Sequence, residues 1–144
     1  MYIADIIIKS LDDLPIAIIE IKNREPLSEE IALELKQKIL SHKYLPEYFI
    51  VLSQNTGFLW KISNNEFLDK PYKFSMKDII NKYFPKINTD KRLREDDLEL
   101  IVSQWLNENM FKEKDEIEEN EKFLLDSGFL DAIKNGVIRA QARI

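Results

Sequence analysis

Residues 15–24 read PIAIIEIKNR, an isoleucine-rich run that carries one acid, Glu20, and one base, Lys22. The run before it, residues 2–10, reads YIADIIIKS and carries a single acid, Asp5. Charged side chains inside such runs are costly to bury unless something pairs with them. Both runs have strand length and strand composition, and SLDDLP (residues 10–15) between them is a polar turn, so the spacing predicts a β-hairpin. Side chains alternate across a strand, which puts Glu20 and Lys22 on one face with Ile16 and Ile18. A turn centred between Asp12 and Asp13 pairs residues whose numbers sum to 25, and Asp5 then lies opposite Glu20. Cross-strand neighbours are about 5 Å apart at Cβ, where like charges repel. Two facing carboxylates need a shared proton or a cation. A divalent ion with oxygen ligands meets that need, and Lys22 adds a positive charge beside it. A cross-strand ion pair between Lys22 and one of the acids is the other reading of the trio.

Working outward, Ser28 is placed to cap a helix running to about His42, with Glu29 and Glu30 in its first turn. Ile31, Leu35 and Ile39 recur on one helical face, with Ala32 beside them. YFIVLS (48–53) reads as a buried strand, QNTG (54–57) as a turn and FLWKI (58–62) as the next strand. Strand, strand, helix, strand, strand predicts a mixed α/β sheet, with the second and third strands parallel across a right-handed helical crossover. Residues 63–74 read as irregular. Ser75 then starts a short helix with Asp78 as capping-box partner, and its apolar side is Ile79, Ile80, Tyr83 and Phe84. Leu98, Ile101, Val102, Trp105 and Leu106 predict a helix over about 95–110. KEKDEIEENEK (112–122) reads as a solvated helix or linker. The last 22 residues predict one or two short helices broken near Gly128. The division this suggests is an α/β core over 1–89 and an acidic helical region over 90–144.

Composition narrows the chemistry. The 144 residues include no cysteine and one histidine, His42, which excludes disulfides, thiolate metal sites and multi-histidine zinc sites within one chain. Residues 1–89 balance 12 Lys/Arg against 12 Asp/Glu, whereas residues 90–144 carry 9 against 14, the whole of the net −5. The N-terminal part is therefore free to meet nucleic acid, and the C-terminal part would repel phosphate. No apolar run approaches the roughly 20 residues of a membrane helix, and MYIADIII lacks the basic start of a secretory signal, so no membrane partner and a cytoplasmic location are expected.

Asp5 in YIADIII, then Glu20 and Lys22 in AIIEIKNR, with an amphipathic helix after them, resemble the PD-(D/E)XK nuclease superfamily. The closest flavour is the N-terminal domain of type I restriction subunits and related small cyanobacterial proteins of unassigned role. YFIVLSQNTGFLWK is similar to the stretch after the helix in those domains, and the resemblance covers about residues 2–62. It implies a restriction-endonuclease-like mixed sheet flanked by helices, here with a helical C-terminal appendage. It also implies metal-dependent phosphodiester hydrolysis of DNA. Asp5, Glu20 and the Ile21 carbonyl would hold Mg²⁺ or Mn²⁺, and Lys22 would position or deprotonate the attacking water. Gln37 matches a helical glutamine of some members, although the tyrosine usual four residues later is Ser41. The family's first helix and strand have no counterpart before Met1. The C-terminal helices, a second copy or another protein partner, or residues upstream would take their place. A nuclease-like fold that binds or assembles without cutting is the alternative. A second Glu-x-Lys, at Glu34 and Lys36, falls in the expected helix and is not expected to act.

Overall fold

The computed structural model describes residues 3–23, 25–40, 45–62, 70–84 and 92–143. The elements in chain order are β1 (Ile3–Lys9), β2 (Pro15–Ile21), α1 (Glu29–Leu40), β3 (Tyr48–Leu52), β4 (Thr56–Lys61), β5 (Tyr72–Ser75), α2 (Met76–Tyr83) and α3 (Glu95–Asn109). Two 3₁₀ turns (Lys114–Glu116 and Glu119–Glu121), α4 (Phe123–Asp126), α5 (Phe129–Ile133) and β6 (Val137–Arg143) complete them. The strands form one six-stranded mixed α/β sheet in the order β5-β4-β3-β2-β1-β6, flanked by helices. β2 and β3 are parallel and every other neighbouring pair is antiparallel. No helix among the described residues is long and apolar enough to cross a membrane.

The hairpin forms for the reasons its sequence states. Ile6 faces Ile19 and Ile7 faces Ile18, the register that sums to 25. The turn adds an irregularity, because the pairing shifts between Ile8 and Lys9 and Asp13 takes a positive φ of 64°. Ser10 closes the turn, its Oγ accepting the Leu14 N–H at 3.1 Å. Ser28 caps α1 as its position suggests, its Oγ accepting the Ile31 N–H at 3.2 Å. Ser75 gives α2 no side-chain cap, so the expected box with Asp78 is not made. Ser75 is already the last residue of β5, and the next N–H, that of Met76, is taken by the Asn55 carbonyl at 3.0 Å.

Two apolar clusters sandwich the sheet. Ile7, Ile18, Phe49, Val51, Phe58 and Trp60 face α1, which answers with Ala32 and Ile39. Ile6, Ile8, Ile19, Ile21, Ile50 and Leu52 face the other way, onto α2, α3, α4 and α5. The helices expected beyond residue 90 are present, with the break at Gly128 (φ 79°), and α3 lies over 95–109. The ending differs from the helical expectation, because Val137–Arg143 is a strand paired antiparallel to β1. VIRAQAR alternates in the manner of a strand, and the outer edge of the apolar β1 offers it a full ladder of hydrogen bonds. β5 was likewise unexpected. Its four residues YKFS pair with β4 and anchor the layer below through Phe74, which stacks on Phe123 at 4.2 Å and lies 6.1 Å from Trp105.

Gly57 in β4 faces Phe74, and a Cβ there would come within 2.2 Å of the ring. The ring cannot swing aside, because Phe123 and Trp105 hold it. Gly57→Ala is therefore expected to cost about 1–3 kcal/mol by overpacking, read as a lowered urea midpoint. A variant as stable as wild type would show that the ring has room to move.

Candidate metal and nucleic-acid site

Glu20 lies in the interior of β2, paired with Val51 of β3 and 4% exposed. Strand alternation turns it with Ile18 toward α1, while Ile19 and Ile21 face the opposite helices. Its Oε1 is buried and has no hydrogen-bond partner. Burial pushes its carboxyl up to about 7, against the opposing pull of the Lys22 ammonium and of a hydrogen bond from the Asp5 N–H. A buried carboxylate with a spare oxygen is the hard donor that Mg²⁺ or Mn²⁺ takes, so this residue fits the implied ion.

Asp5 and β2 are laced together. The Ile21 N–H donates to Asp5 Oδ2 at 2.8 Å, and the Asp5 N–H in turn bonds Glu20. The paired register of the hairpin ends at Ile6 on Ile19, and beyond it Asp5 meets β2 through these two side-chain bonds. Alternation in β1 breaks there, however. Ala4 packs in the α1-side cluster beside Ile7, and Asp5 lines a cavity of about 390 Å³ with Ile21, Glu95, Asp96, Glu99 and Gln141. The distortion has a partner in β6, where Gln141 stands beside Asp5 at φ 51° and donates to Glu99 at 3.0 Å. Lys22 lines a different space, a groove of about 400 Å³ along α1 with Leu27, Ile31, Glu34, Leu35 and Lys38. The structure thus joins Asp5, Glu20 and Ile21 through hydrogen bonds and places Lys22 two residues on, but neither cavity is lined by both Asp5 and Lys22. Among the described residues no cluster of three His, Cys, Asp or Glu side chains is arranged to hold a metal.

The place of the helical glutamine follows from the phase of α1. Ala32, Lys36 and Ile39 are its buried residues, so Gln37, about 100° further round, is exposed. Lys36 occupies the inward position instead, 4% exposed, with Nζ 5.7 Å from the centre of the Trp60 ring. Its place between Ala32 and Ile39 was the signal for this in the sequence. His42 and Lys43 lie outside the described residues.

A clamp beside the site was not foreseen. Asn23 Nδ2 donates to the Leu93 carbonyl, Arg92 donates to the Asn23 carbonyl at 2.5 Å, and the Leu93 N–H donates to Gln54 Oε1 at 2.7 Å. The Lys22 N–H donates to the Leu52 carbonyl at 2.8 Å. Side chains just past the ends of β2 and β3 therefore hold the segment leading into α3, and with it the acids of the Asp5 cavity. Asn23 Oδ1, like Glu20 Oε1, is a buried acceptor without a partner. In sequence, Asn23 and Gln54 carried only a loop and a turn signal, and their partners lie 70 and 39 residues away. Compared with protein-family models, curated proteins and solved structures, the chain matches none.

Proposed function

We propose that this chain is a nuclease-like domain that binds Mg²⁺ or Mn²⁺ through Glu20 and hydrolyses phosphodiester bonds of DNA. The observation that carries the reading is the unpartnered Glu20 Oε1, buried in the middle of a sheet where a bare carboxylate is costly. Asp5 and the Ile21 carbonyl would be the further oxygen donors; both residues line the α3-side cavity whereas Glu20 is turned toward α1, and the bond from the Asp5 N–H to Glu20 is what brings the two acids together. When bound, the ion supplies Lewis acidity toward a phosphoryl oxygen. Lys22, half-buried just past the end of β2, would hold and orient the attacking water by donating a hydrogen bond from its ammonium. The Asn23 and Gln54 clamp keeps that strand end in place.

The test is supercoiled plasmid with Mn²⁺ or Mg²⁺. Wild type is expected to nick or linearise it, and Lys22→Ala to lose about 100-fold or more of the rate. Undiminished cutting by Lys22→Ala would overturn the role given to it. One observation favours a binding module that does not cut. Both carboxylates already accept backbone N–H groups, and Lys22 and Asp5 line separate cavities. That reading predicts no cutting by wild type, with a Mn²⁺-induced rise in Tm that Glu20→Ala abolishes.

A further inference from the structure

We propose that the groove along α1 is the seat of a single nucleic-acid strand, with phosphates on Lys22 and Lys38 and an unpaired base or sugar on Leu27, Ile31 and Leu35. This rests on the nuclease reading, because it assigns the strand on which Lys22 would act. The groove holds about 400 Å³. Its α1 wall is a single stripe, Ile31, Glu34, Leu35 and Lys38, at the i, i+3, i+4, i+7 spacing. That stripe is about 10 Å long, the axial length of about three nucleotide steps of one strand.

Charge selects the occupant and the side. The groove on the α1 side carries two lysines and one acid, while the cavity on the α3 side carries Asp5, Glu95, Asp96 and Glu99 and no base. A phosphodiester chain is drawn to the first and repelled by the second. The apolar floor selects the strand form. Leu27 is 5% exposed and Ile31 and Leu35 are half-buried, leaving aliphatic surface between the two cations. A duplex turns its phosphates outward and has nothing to lay on that surface. A single strand offers base and sugar faces as well as phosphates. Glu34 is the lining group of the wrong sign, which makes it a sensitive probe.

The experiment is fluorescence anisotropy of a labelled dT12 strand with the full chain in EDTA, where binding is read without hydrolysis. Wild type is expected to bind. Lys38→Glu weakens binding about tenfold or more, and Lys38→Ala lowers the slope of log K against log salt by about 0.7, the value of one phosphate contact on a single strand. Leu35→Ser weakens binding with the slope unchanged, and Glu34→Gln tightens it. Lys38 and Glu34 are exposed, so circular dichroism and Tm should match wild type for those variants. No binding of dT12, or wild-type affinity in both Lys38→Glu and Leu35→Ser, overturns the groove. A blunt 12-base-pair duplex binding as tightly as dT12 overturns the single-strand assignment. A groove filled by a second copy would show as a dimer in light scattering that Leu35→Ser dissociates and dT12 leaves intact, and that too overturns it. Binding of dT12 with neither plasmid nor dT12 cut in Mn²⁺ upholds the groove and removes hydrolysis alone.

Discussion

Between pH 4.5 and pH 7 the metal-free protein is expected to lose about 3 kcal/mol of stability through Glu20 alone. The sign follows from burial. The folded carboxyl titrates at about 7, whereas its ordinary value is 4.5. Within that window the folded state keeps a proton that the unfolded state has released, so stability falls as pH rises. Below the window both states are protonated and nothing is lost. Above it the folded state carries an ionised carboxylate with an unpartnered oxygen, and the cost is complete. Urea titrations in EDTA across this range should show the slope in wild type and its removal in Glu20→Gln. At pH 8 Glu20→Gln should be the more stable protein, although it removes a charged neighbour of Lys22. Lys22→Ala should steepen the wild-type dependence, because its ammonium holds the Glu20 carboxyl down. Saturating Mn²⁺ should restore wild type at pH 8, by about 2.7 kcal/mol at a hundredfold excess over Kd, and leave Glu20→Gln unmoved. Parallel wild-type and Glu20→Gln curves would show that the fold does not feel this carboxylate, and the cation reading would lose its foundation. A structural ion pair with Lys22 predicts the reverse at pH 8, a loss on Glu20→Gln.

The second large effect lies on the far side of the sheet. Glu121 is 1% exposed and accepts both the Trp105 indole N–H and the Lys82 ammonium, while Lys82 also meets Glu118 at 3.1 Å. The contact joins α2, α3 and the 3₁₀ turn at Glu119–Glu121. Removing one partner of a buried ion pair leaves an uncompensated charge and costs about 3–5 kcal/mol. Glu121→Ala is expected in that range, since it also orphans the Trp105 N–H. Glu121→Gln keeps an acceptor for the indole and should cost less. Adding Lys82→Met to Glu121→Ala should cost little more, giving a coupling above about 1 kcal/mol in a double-mutant cycle. A loss below about 1 kcal/mol for Glu121→Ala would mean that the residue behaves as solvated surface.

Solvated surface is the reading that the run KEKDEIEENEK suggests when taken alone, and Glu121 shows why it fell short. The partners of the carboxylate lie 39 and 16 residues earlier, on helices whose relative placement no local pattern encodes. The legible part was local. The isoleucine runs fixed β1, β2 and their register, and the α1 cap and stripe came from residues within one turn of each other. The buried position of Trp105 came from the helical stripe it shares with Leu98, Ile101, Val102 and Leu106. β5 and β6 were hidden because YKFS has only four residues and because the alternation in VIRAQAR is carried beyond Ile138 by alanines alone, a weak apolar signal. At the site, spacing gave Glu20 and Lys22 a common face and led to the expectation of Asp5 opposite Glu20. It could not foresee that Asp5 would turn toward α3, because that depends on Gln141 in a strand from the other end of the chain.

That pairing sets an order of events during synthesis. Ile3 pairs with Arg143 and Lys9 with Val137, so the outer ladder of β1 joins residues made early to residues made much later. The hairpin of β1 and β2 can close early, since its contacts are local and such contacts form fast. Until residues 137–143 emerge, the β1 edge is an open template for other nascent chains. The surroundings of Asp5, including the Gln141 to Glu99 hydrogen bond, are assembled only when β6 arrives. A ribosome-held chain lacking these residues would carry Glu20 and Lys22 in place but not the finished Asp5 cavity, and any cation affinity that needs Asp5 would be acquired as β6 docks.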